Sequence, residues 1–289
     1  MATSVKEIER PSDVPDKIGK YVIINKIGKG STGTVYLSHD PYYRRDVAIK
    51  VYNLEEDVDA ERAKVSRKMF FNEAHMVGML QHPNIMPIYD AGEEDGKYYV
   101  VTEHIQGART LAAYCRPDNL LRVDDVVEII YKCAKALHYA HGRGVIHRDI
   151  KPANLIYNPK EGSLKISDFG VARITDNNRT KTGIVLGTPM YMSPEQLGAE
   201  KLTGLSDLFS LGVTLYELLA GEVPFQATNI AVLMTKITSE DPAPISQRRA
   251  GIPPSIDTVL AKALAKKPED RFSCGAEMAI ALRNCARFS

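Results

Sequence analysis

Residues 147–154 bring an acid, a cation and an amide together in the sequence His-Arg-Asp-Ile-Lys-Pro-Ala-Asn. A carboxylate such as that of Asp149 can orient a hydroxyl group and accept its proton. The ammonium group of Lys151 can neutralise a phosphate, and the amide oxygen of Asn154 can coordinate Mg²⁺. A charged surface turn is the alternative interpretation, but the combination favours a segment that handles a hydroxyl group and a phosphate.

Asp168 supplies a second carboxylate. It stands at the end of a predicted strand, Leu164-Lys-Ile-Ser, and is followed by Phe169 and Gly170. In proteins Mg²⁺ is usually held by one or two carboxylates together with substrate phosphates. We therefore predict that Asp168 and Asn154 hold a metal ion.

A glycine-rich stretch, Gly-Lys-Gly-Ser-Thr-Gly-Thr-Val, occupies residues 28–35. Alone it is weak evidence, because a strand turn that needs a positive φ also uses glycine. A dinucleotide-binding fold would continue into a helix, whereas residues 34–37, Thr-Val-Tyr-Leu, continue as a strand. A glycine hairpin between two strands can lie over a triphosphate and offer its backbone N–H groups.

Lys50 ends the apolar run Val-Ala-Ile-Lys. An edge lysine that extends its ammonium group into water is one interpretation. A buried ammonium group must instead find an anion, since an unpaired one is costly. Glu73 is a candidate partner, and Asp57, Glu61 and Glu94 are rivals on sequence alone.

Short runs of β-branched and aromatic residues predict antiparallel strands in the first part of the chain. One helix, at about residues 60–80, interrupts them. The predicted strands are residues 21–27, 34–37, 46–51, 85–89 and 97–102.

Helical patterns dominate after residue 106. Residues 123–141 are amphipathic, and residues 205–220 are apolar on almost every side, which indicates a helix buried in a core. Residues 257–264 and 274–286 supply further helices. We predict a flexible N-terminal arm (1–18), a strand-rich N-lobe (19–106) and a helical C-lobe (107–289). The cleft between the two lobes is the expected ligand site.

The composition of the 289 residues excludes some partners. With 37 basic and 36 acidic side chains the net charge is +1, so the chain has no overall basic field for nucleic acid or an anionic membrane. Four scattered cysteines without a Cys-x-x-Cys pair indicate a reducing compartment. No apolar run approaches the roughly 18 residues that span a bilayer, and the first ten residues are too charged for a secretory signal. We expect a cytoplasmic protein without a membrane segment, which could be part of something longer.

In their order, these motifs resemble the signature set of the protein kinase family from about residue 21 to residue 286. The resemblance implies an α+β, bilobal protein-kinase fold. Its N-lobe would hold an antiparallel sheet and one helix, and its C-lobe would be mainly helical. The implied activity is transfer of the γ-phosphoryl group of ATP to Ser or Thr hydroxyls of proteins, with Mg²⁺ (Mn²⁺ as a substitute) as cofactor.

The resemblance also implies a role for each matching residue. Lys50, held by Glu73, would grip the α- and β-phosphates. Asp149 would be the catalytic base with Lys151 near the γ-phosphate, and Asn154 and Asp168 would hold the metal. The backbone of Glu103 and Ile105 would pair with adenine, and Thr102 would be a gatekeeper. The full set of implied ATP-binding residues is Ile27, Gly28, Lys29, Gly30, Ser31, Thr32, Gly33, Thr34, Val35, Ala48, Lys50, Thr102, Glu103, Ile105 and Ile156.

Two structural contacts follow from the same resemblance. Asp207 would brace the loop of residues 147–154 from the buried helix, although a helix N-cap is the alternative interpretation. Glu195 would pair with Arg271. Two departures from the family pattern are small: residues 193–195 read Ser-Pro-Glu rather than Ala-Pro-Glu, and Phe209 stands where many relatives carry tryptophan.

The serine/threonine branch of the family is favoured by Lys151 and by Thr188, because tyrosine-specific relatives differ at both places. An arginine before the base, here Arg148, usually binds a phosphate on the activation segment, residues 168–195. Thr180 and Thr182 are the expected acceptors, by autophosphorylation, and their spacing resembles the loop of eukaryotic-like bacterial kinases. Two solvated loop threonines are the alternative.

Two other functions remain alternatives. A pseudokinase scaffold would bind without catalysis, but Lys50, Asp149, Asn154 and Asp168 are all present. A small-molecule phosphotransferase of related fold would lack the pattern of residues 187–195 and of Lys151. Relatives of bacterial type often dimerise through the N-lobe, so a homodimer is a candidate assembly.

Overall fold

The computed structural model describes residues 14–30, 32–53, 60–169 and 189–285, with the backbone alone at residues 60–62. Ser31, Thr180, Thr182 and Thr188 lie outside this part. Contacts divide the chain into two compact units, Met1–Ala74 with Pro87–His104 and His75–Met86 with Ile105–Ser289. The end of the first helix and the turn after it, which the sequence assigned to the N-lobe, therefore group with the second unit.

The first unit is built on a six-stranded antiparallel sheet with the order β1-β2-β3-β4-β6-β5. Its helix α1 spans Ala60–Gly78 and ends among residues of the second unit. Lys17–Ile18, the last residues of the predicted arm, form β1, because Ile18 is buried in the core of the sheet. The strands are β1 (Lys17–Ile18), β2 (Tyr21–Gly30), β3 (Gly33–Asp40), β4 (Arg45–Tyr52), β5 (Ile88–Glu94) and β6 (Lys97–Glu103).

The predicted start of the strand at residues 85–89 is wrong. Strand β5 begins at Ile88, directly after Pro87, which has no N–H group to donate to a ladder. Ile85 instead forms an isolated parallel bridge with Ile166 of the second unit.

The second unit is mainly helical, as the sequence predicted, and also holds a small antiparallel sheet with the order β7-β8-β9. The sheet strands are β7 (Arg109–Thr110), β8 (Leu155–Asn158) and β9 (Ser163–Ile166). The helices are α2 (Val123–His141), α3 (Pro194–Leu197), α4 (Gly204–Ala220), α5 (Ile230–Ser239), α6 (Pro254–Ala263) and α7 (Gly275–Cys285). No helix in the described ranges is long and apolar enough to cross a membrane.

Helix α4 lies at the centre of this unit, and its predicted burial is confirmed. Thr203 caps its first turn by accepting from the N–H of Leu205. The helix ends at Gly221, whose φ of 78° is left-handed and suits glycine. At Gly212 an added Cβ would lie 2.9 Å from the Cβ of Ala263, so glycine permits close packing of α4 against α6.

Helix α5 was missed by the sequence analysis. Asn229 caps it by accepting from the N–H groups of Ala231 and Val232. An asparagine before an apolar run is a helix-start signal, so this helix was open to prediction.

The described cysteines, which are all four, are free thiols. The antiparallel first sheet with one helix and the helical second unit confirm the predicted α+β class.

Candidate active site

One face of the first sheet collects residues that the sequence assigned to nucleotide binding. The register places Gly28 opposite Val35 and Val35 opposite Lys50. Alternation along β4 puts Ala48 on the same face as Lys50. The opposite face of β4 carries Val47 and Ile49, which are fully buried in the core of the sheet.

The three glycines of residues 28–35 serve different purposes. At Gly33 an added Cβ would lie 2.1 Å from the carbonyl oxygen of Val51, so the sheet itself requires glycine there. Among the described residues, no atom lies within 4 Å of a Cβ added at Gly30, and at Gly28 only the Val35 side chain does, at an ordinary contact distance. None of the three has a positive φ. The turn explanation therefore does not account for Gly28 and Gly30, which leave the backbone accessible.

Helix α1 packs on the sheet face that carries Lys50. The Tyr52 ring, two residues further along β4, meets the Phe70 ring of α1 edge-on with centroids 5.8 Å apart. The Nζ of Lys50 lies 5.2 Å from the centroid of the Tyr52 ring. Glu73, one helical turn after Phe70, is buried. This arrangement favours Glu73 as the partner of Lys50.

The rival partners of Lys50 are less favoured or not described. Glu94 lies at the exposed end of β5, where its carboxylate accepts from the backbone N–H of Gly19. Asp57 and the side chain of Glu61 lie outside the described residues.

The remaining residues assigned to adenine divide between the two units. In the first unit, Thr102 pairs with Ala48 across β4 and β6, and its Oγ1 lies 3.5 Å from the Ala48 carbonyl oxygen. Glu103 ends β6. In the second unit, Ile105 follows directly and Ile156 lies on β8.

The acid, the cation and the amide of residues 147–154 form one cluster in the second unit. The Nζ of Lys151 lies 2.9 Å from Oδ1 and 2.8 Å from Oδ2 of Asp149. The Nδ2 of Asn154 donates to Oδ2 of Asp149 at 3.0 Å and to its backbone oxygen at 2.7 Å. A short 3-10 helix, Pro152–Asn154, turns the chain back to make these contacts.

The same contacts orient Asn154 for a metal ion. Because Nδ2 donates to Asp149, the oxygen Oδ1 is the half of the amide left for a ligand. Ser167 donates its N–H and its Oγ–H to the backbone oxygen of Asn154, at 2.9 and 3.1 Å, so Asp168 follows directly beside Asn154. An amide oxygen and a carboxylate are hard donors that suit Mg²⁺. The donor set therefore fits the metal that the sequence predicted.

A buried histidine joins the two segments that carry these ligands. The Nε2 of His147 donates to the backbone oxygen of Ser167 at 2.8 Å, and its Nδ1 accepts from the N–H of Asp149 at 3.2 Å. These partners place the ring proton on Nε2. The ring also packs against Phe169, with centroids 4.5 Å apart.

Asp207 of α4 holds the start of this loop. Its carboxylate accepts from the backbone N–H groups of His147 and Arg148 at 2.8 and 2.7 Å, and from Nε2 of His141 at 2.7 Å. The N-cap of α4 is Thr203, so the alternative interpretation of Asp207 as the cap is wrong. His141 is the last residue of α2, and no sequence signal could name its partner.

Glu195 and Arg271 form a buried pair in which Nη1 and Nη2 donate to the two carboxylate oxygens at 2.7 and 2.8 Å. The remaining guanidinium donors reach the carbonyl oxygens of Ala265, Leu205 and Lys266. Burial, the largest single influence, would raise the pKa of Glu195. The hydrogen bonds from Arg271, from the backbone and from Ser206, together with the charge of Arg271, outweigh burial and hold that pKa below its usual value.

Arg148 has an unusual backbone and an unusual side chain. Its φ is 69°, in the left-handed region that non-glycine residues rarely adopt. Its Nε is buried and has no hydrogen-bond partner among the described residues. Since buried donors in proteins are usually hydrogen-bonded, we expect this Nε to bind an acceptor.

Tyr191 and Glu217 are a pair that the sequence analysis missed. The phenol of Tyr191 donates to Oε2 of Glu217 at 2.6 Å. Burial raises the pKa of Glu217, and burial together with the Glu217 carboxylate raises the pKa of Tyr191. Asp149 also raises the pKa of Tyr191, so this phenol lies within electrostatic reach of the predicted base.

Comparison with known proteins identifies the family of this chain. Residues 21–281 match the family model of the protein kinase domain. The serine/threonine-protein kinase PknB of Mycolicibacterium smegmatis is 38% identical over 266 residues, which are 90% of this chain and 42% of that protein. PrkC of Bacillus subtilis, also a serine/threonine-protein kinase, is 35% identical over 262 residues, 90% of this chain and 39% of that protein. The chain thus spans less than half the length of these curated relatives.

A solved structure has the same fold. The crystal structure of the Mycobacterium tuberculosis PknI kinase domain matches with a TM-score of 0.75 at 27% sequence identity. The match covers 94% of this chain and 100% of that one. The predicted protein-kinase fold is confirmed.

Proposed function

Because the chain belongs to the protein kinase family, we propose that it is a serine/threonine protein kinase that transfers the γ-phosphoryl group of ATP to hydroxyl groups of protein substrates. The observation that carries the proposal is the cluster of Asp149, Lys151 and Asn154, in which one carboxylate is held by an ammonium group and an amide. This cluster lies next to Asp168 through the bonds between Ser167 and Asn154.

Asp149 is the group that accepts the proton of the substrate hydroxyl. Its carboxylate is held by the ammonium group of Lys151, which lies ready to neutralise a γ-phosphate. General-base assistance is typically worth about 10²–10⁴ in rate. The rest of the rate enhancement comes from positioning and charge neutralisation.

Asn154 and Asp168 hold the metal through one amide oxygen and one carboxylate. Members of this family use ATP with a divalent metal, and the hard oxygen donors favour Mg²⁺, with Mn²⁺ as a substitute. When bound, the metal neutralises charge on the phosphates. Asn154 directs its amide nitrogen toward Asp149, so its amide oxygen is left for the metal.

The first unit supplies most of the nucleotide contacts, and Ile105 and Ile156 belong to the second unit. Lys50, held by Glu73, grips the α- and β-phosphates, and Gly28 and Gly30 let the backbone approach the triphosphate. The aliphatic side chains that enclose adenine are those of Ile27, Val35, Ala48 and Ile156. The backbone of Glu103 and Ile105 pairs with the adenine edge, and Thr102 is the gatekeeper.

The serine/threonine preference follows from Lys151 and Thr188, and two relatives that are 38% and 35% identical carry that description. Autophosphorylation of Thr180 and Thr182 would place a phosphate near Arg148. A phosphoryl group carries about −1.5 to −2 charges at neutral pH, and the Nε of Arg148, which has no partner in the described part of the chain, offers it a donor.

The experiment is tryptic phosphopeptide mapping after incubation with Mg·ATP, in parallel with a generic basic protein and with a panel of small alcohols. We expect phosphoserine and phosphothreonine in the basic protein, phosphate on Thr180 and Thr182, and none on the alcohols. Phosphate on an alcohol alone would favour the small-molecule phosphotransferase, and no transfer at all would favour the pseudokinase scaffold. The three-part domain division, the homodimer and the cytoplasmic location stay predictions.

A further inference from the structure

In the loop that carries Asp149, the backbone of the preceding residue, Arg148, has a strained conformation. Arg148, directly before Asp149, has a φ of 69°, which is strained for a side chain with a Cβ. A residue stays in such a conformation only when its surroundings fix it. Both polar groups of the Arg148 backbone are in fact held by side chains.

The two contacts come from different elements. The N–H of Arg148 donates to Oδ1 of Asp207 on α4, at 2.7 Å. The carbonyl oxygen of Arg148 accepts from Nε2 of Gln196 on α3, at 2.9 Å. The first contact was expected from the sequence, whereas nothing in the sequence analysis pointed to Gln196.

The orientation of the Gln196 amide is fixed by its second partner. Its Oε1 accepts from the N–H of Ser193 at 3.0 Å and lies 3.2 Å from the Ser193 Oγ. The N–H of Gln196 in turn lies 3.4 Å from that Oγ, which completes a capping box. Because Oε1 must face Ser193, Nε2 must face Arg148.

Helix α3 is only four residues long, but buried contacts hold it in place. Ser193 is fully buried, and Glu195 between the two capping residues makes the buried pair with Arg271. Gln196 therefore links this buried helix to Arg148, the residue before Asp149.

We propose that Gln196 is a positioning residue for phosphoryl transfer: its amide N–H group fixes the Arg148 carbonyl and thereby the direction of the Asp149 side chain. The inference rests on the proposed kinase function. It assigns no contact between Gln196 and substrate or ATP. Its effect acts through the backbone of Arg148, so it should alter turnover and leave nucleotide binding unchanged.

The variant Gln196→Glu keeps the capping-box acceptor, removes the donor to Arg148 and places a charged carboxylate oxygen beside the Arg148 carbonyl oxygen. We expect kcat to fall about 10–100-fold, the range for a lost hydrogen bond that leaves an acceptor unsatisfied. The KM for ATP should stay within about two-fold, whereas Tm should fall by a few degrees because the Arg148 carbonyl oxygen loses its partner. Gln247→Glu, the same change at an exposed glutamine, is the matched control with wild-type kcat.

A second set of variants covers the case in which Gln196→Glu does not fold. Gln196→Lys keeps a donor and loses the acceptor, whereas Gln196→Met loses both. The lysine variant should keep a kcat several-fold above that of the methionine variant at similar Tm.

The outcomes separate the inference from the proposed function. A Gln196→Glu protein with wild-type kcat, or equal kcat for the lysine and methionine variants, would overturn the positioning role while the kinase activity stood. A wild-type protein that transfers no phosphate would overturn both.

Discussion

The guanidinium group of Arg271 and the carboxylate of Glu195 are 76 residues apart in sequence and form two parallel hydrogen bonds at 2.7 and 2.8 Å inside the second unit. Every N–H group of the guanidinium has an acceptor, and Ser206 donates to Glu195 as well. Such a pair adds little over an apolar pair of the same shape, but it is costly to break from one side. The pair fixes the short helix α3 against the loop that follows α6.

Glu195→Gln should therefore be among the more destabilising single changes in the chain. It leaves the Arg271 charge buried and unpaired, which costs about 3–5 kcal/mol of unfolding free energy. Chemical denaturation measures the change. The exposed pair of Lys262 and Glu277, with side chains 41% and 40% accessible, provides the control: Glu277→Gln should cost no more than about 1 kcal/mol. Equal losses for the two variants would contradict this account of the buried pair.

The Glu195 pair also has a definite pH dependence. Since the folded pKa of Glu195 is lowered, the unfolded state binds the proton first as the pH falls. The stabilisation is fully present above the usual pKa of a glutamate and is lost as the pH drops through the lower folded value. The gap in stability between wild type and Glu195→Gln, measured by denaturation at several pH values, should shrink below about pH 4. A gap that widens on acidification would have the wrong sign.

Asp207→Asn tests the bracing of the loop that holds the base. An asparagine can present only one oxygen to the N–H groups of His147 and Arg148, and its NH₂ group would face a donor. We expect a loss of about 1–3 kcal/mol together with a fall in kcat. Thr203→Ala on the same helix should remove its N-cap, cost about 1 kcal/mol and leave kcat unchanged. If both variants lost stability equally and kept full activity, Asp207 would be an ordinary stabilising residue.

Asn154→Ala tests the metal assignment. The change removes one hard donor and also frees Oδ2 of Asp149 from its amide partner. The Mg²⁺ concentration that gives half-maximal activity should rise about 10-fold or more, which is the typical effect of disturbing a metal site. A titration of activity against Mg²⁺ at saturating ATP measures it, and an unchanged midpoint would remove Asn154 from the metal site.

Lys266 gives a second pH test, away from the active site. Its Nζ donates to the carbonyl oxygen of Ile237 at 2.9 Å and lies 4.1 Å from the centroid of the Phe225 ring. Burial lowers the pKa of Lys266 to about 8. Between about pH 8 and the usual lysine value the unfolded state binds more protons, so the lysine destabilises less as the pH rises. Lys266→Met should be more stable than wild type by on the order of 1–2 kcal/mol near pH 7, and the advantage should shrink toward pH 10. An advantage that grows with pH would contradict the lowered pKa.

The sequence predicted best those parts of the site whose geometry is local. The cluster in the second unit is formed by residues close together in the sequence, namely Asp149, Lys151 and Asn154. Their types and spacing therefore already indicated it. The pair of Glu195 and Arg271 was reached only through family resemblance, because no local pattern joins residues so far apart. Gln196, His141 and the pair of Tyr191 and Glu217 depend on how separate elements pack, which spacing alone does not encode.

The errors in the fold have local causes. The strand predicted from residue 85 begins at Ile88, because Pro87 has no N–H group to donate to a strand ladder. Helix α5 was overlooked although Asn229 before an apolar run signals a helix start. Both signals were present in the sequence.

The central claim is that Asp149 assists phosphoryl transfer from ATP to a protein hydroxyl. The direct measurement is kcat for a peptide substrate, with ATP affinity determined separately, for wild type, Asp149→Asn and the exposed control Asp124→Asn. We predict that Asp149→Asn lowers kcat about 10²–10⁴-fold with ATP affinity nearly unchanged, and that Asp124→Asn behaves as wild type. Turnover by Asp149→Asn equal to that of wild type would contradict the account.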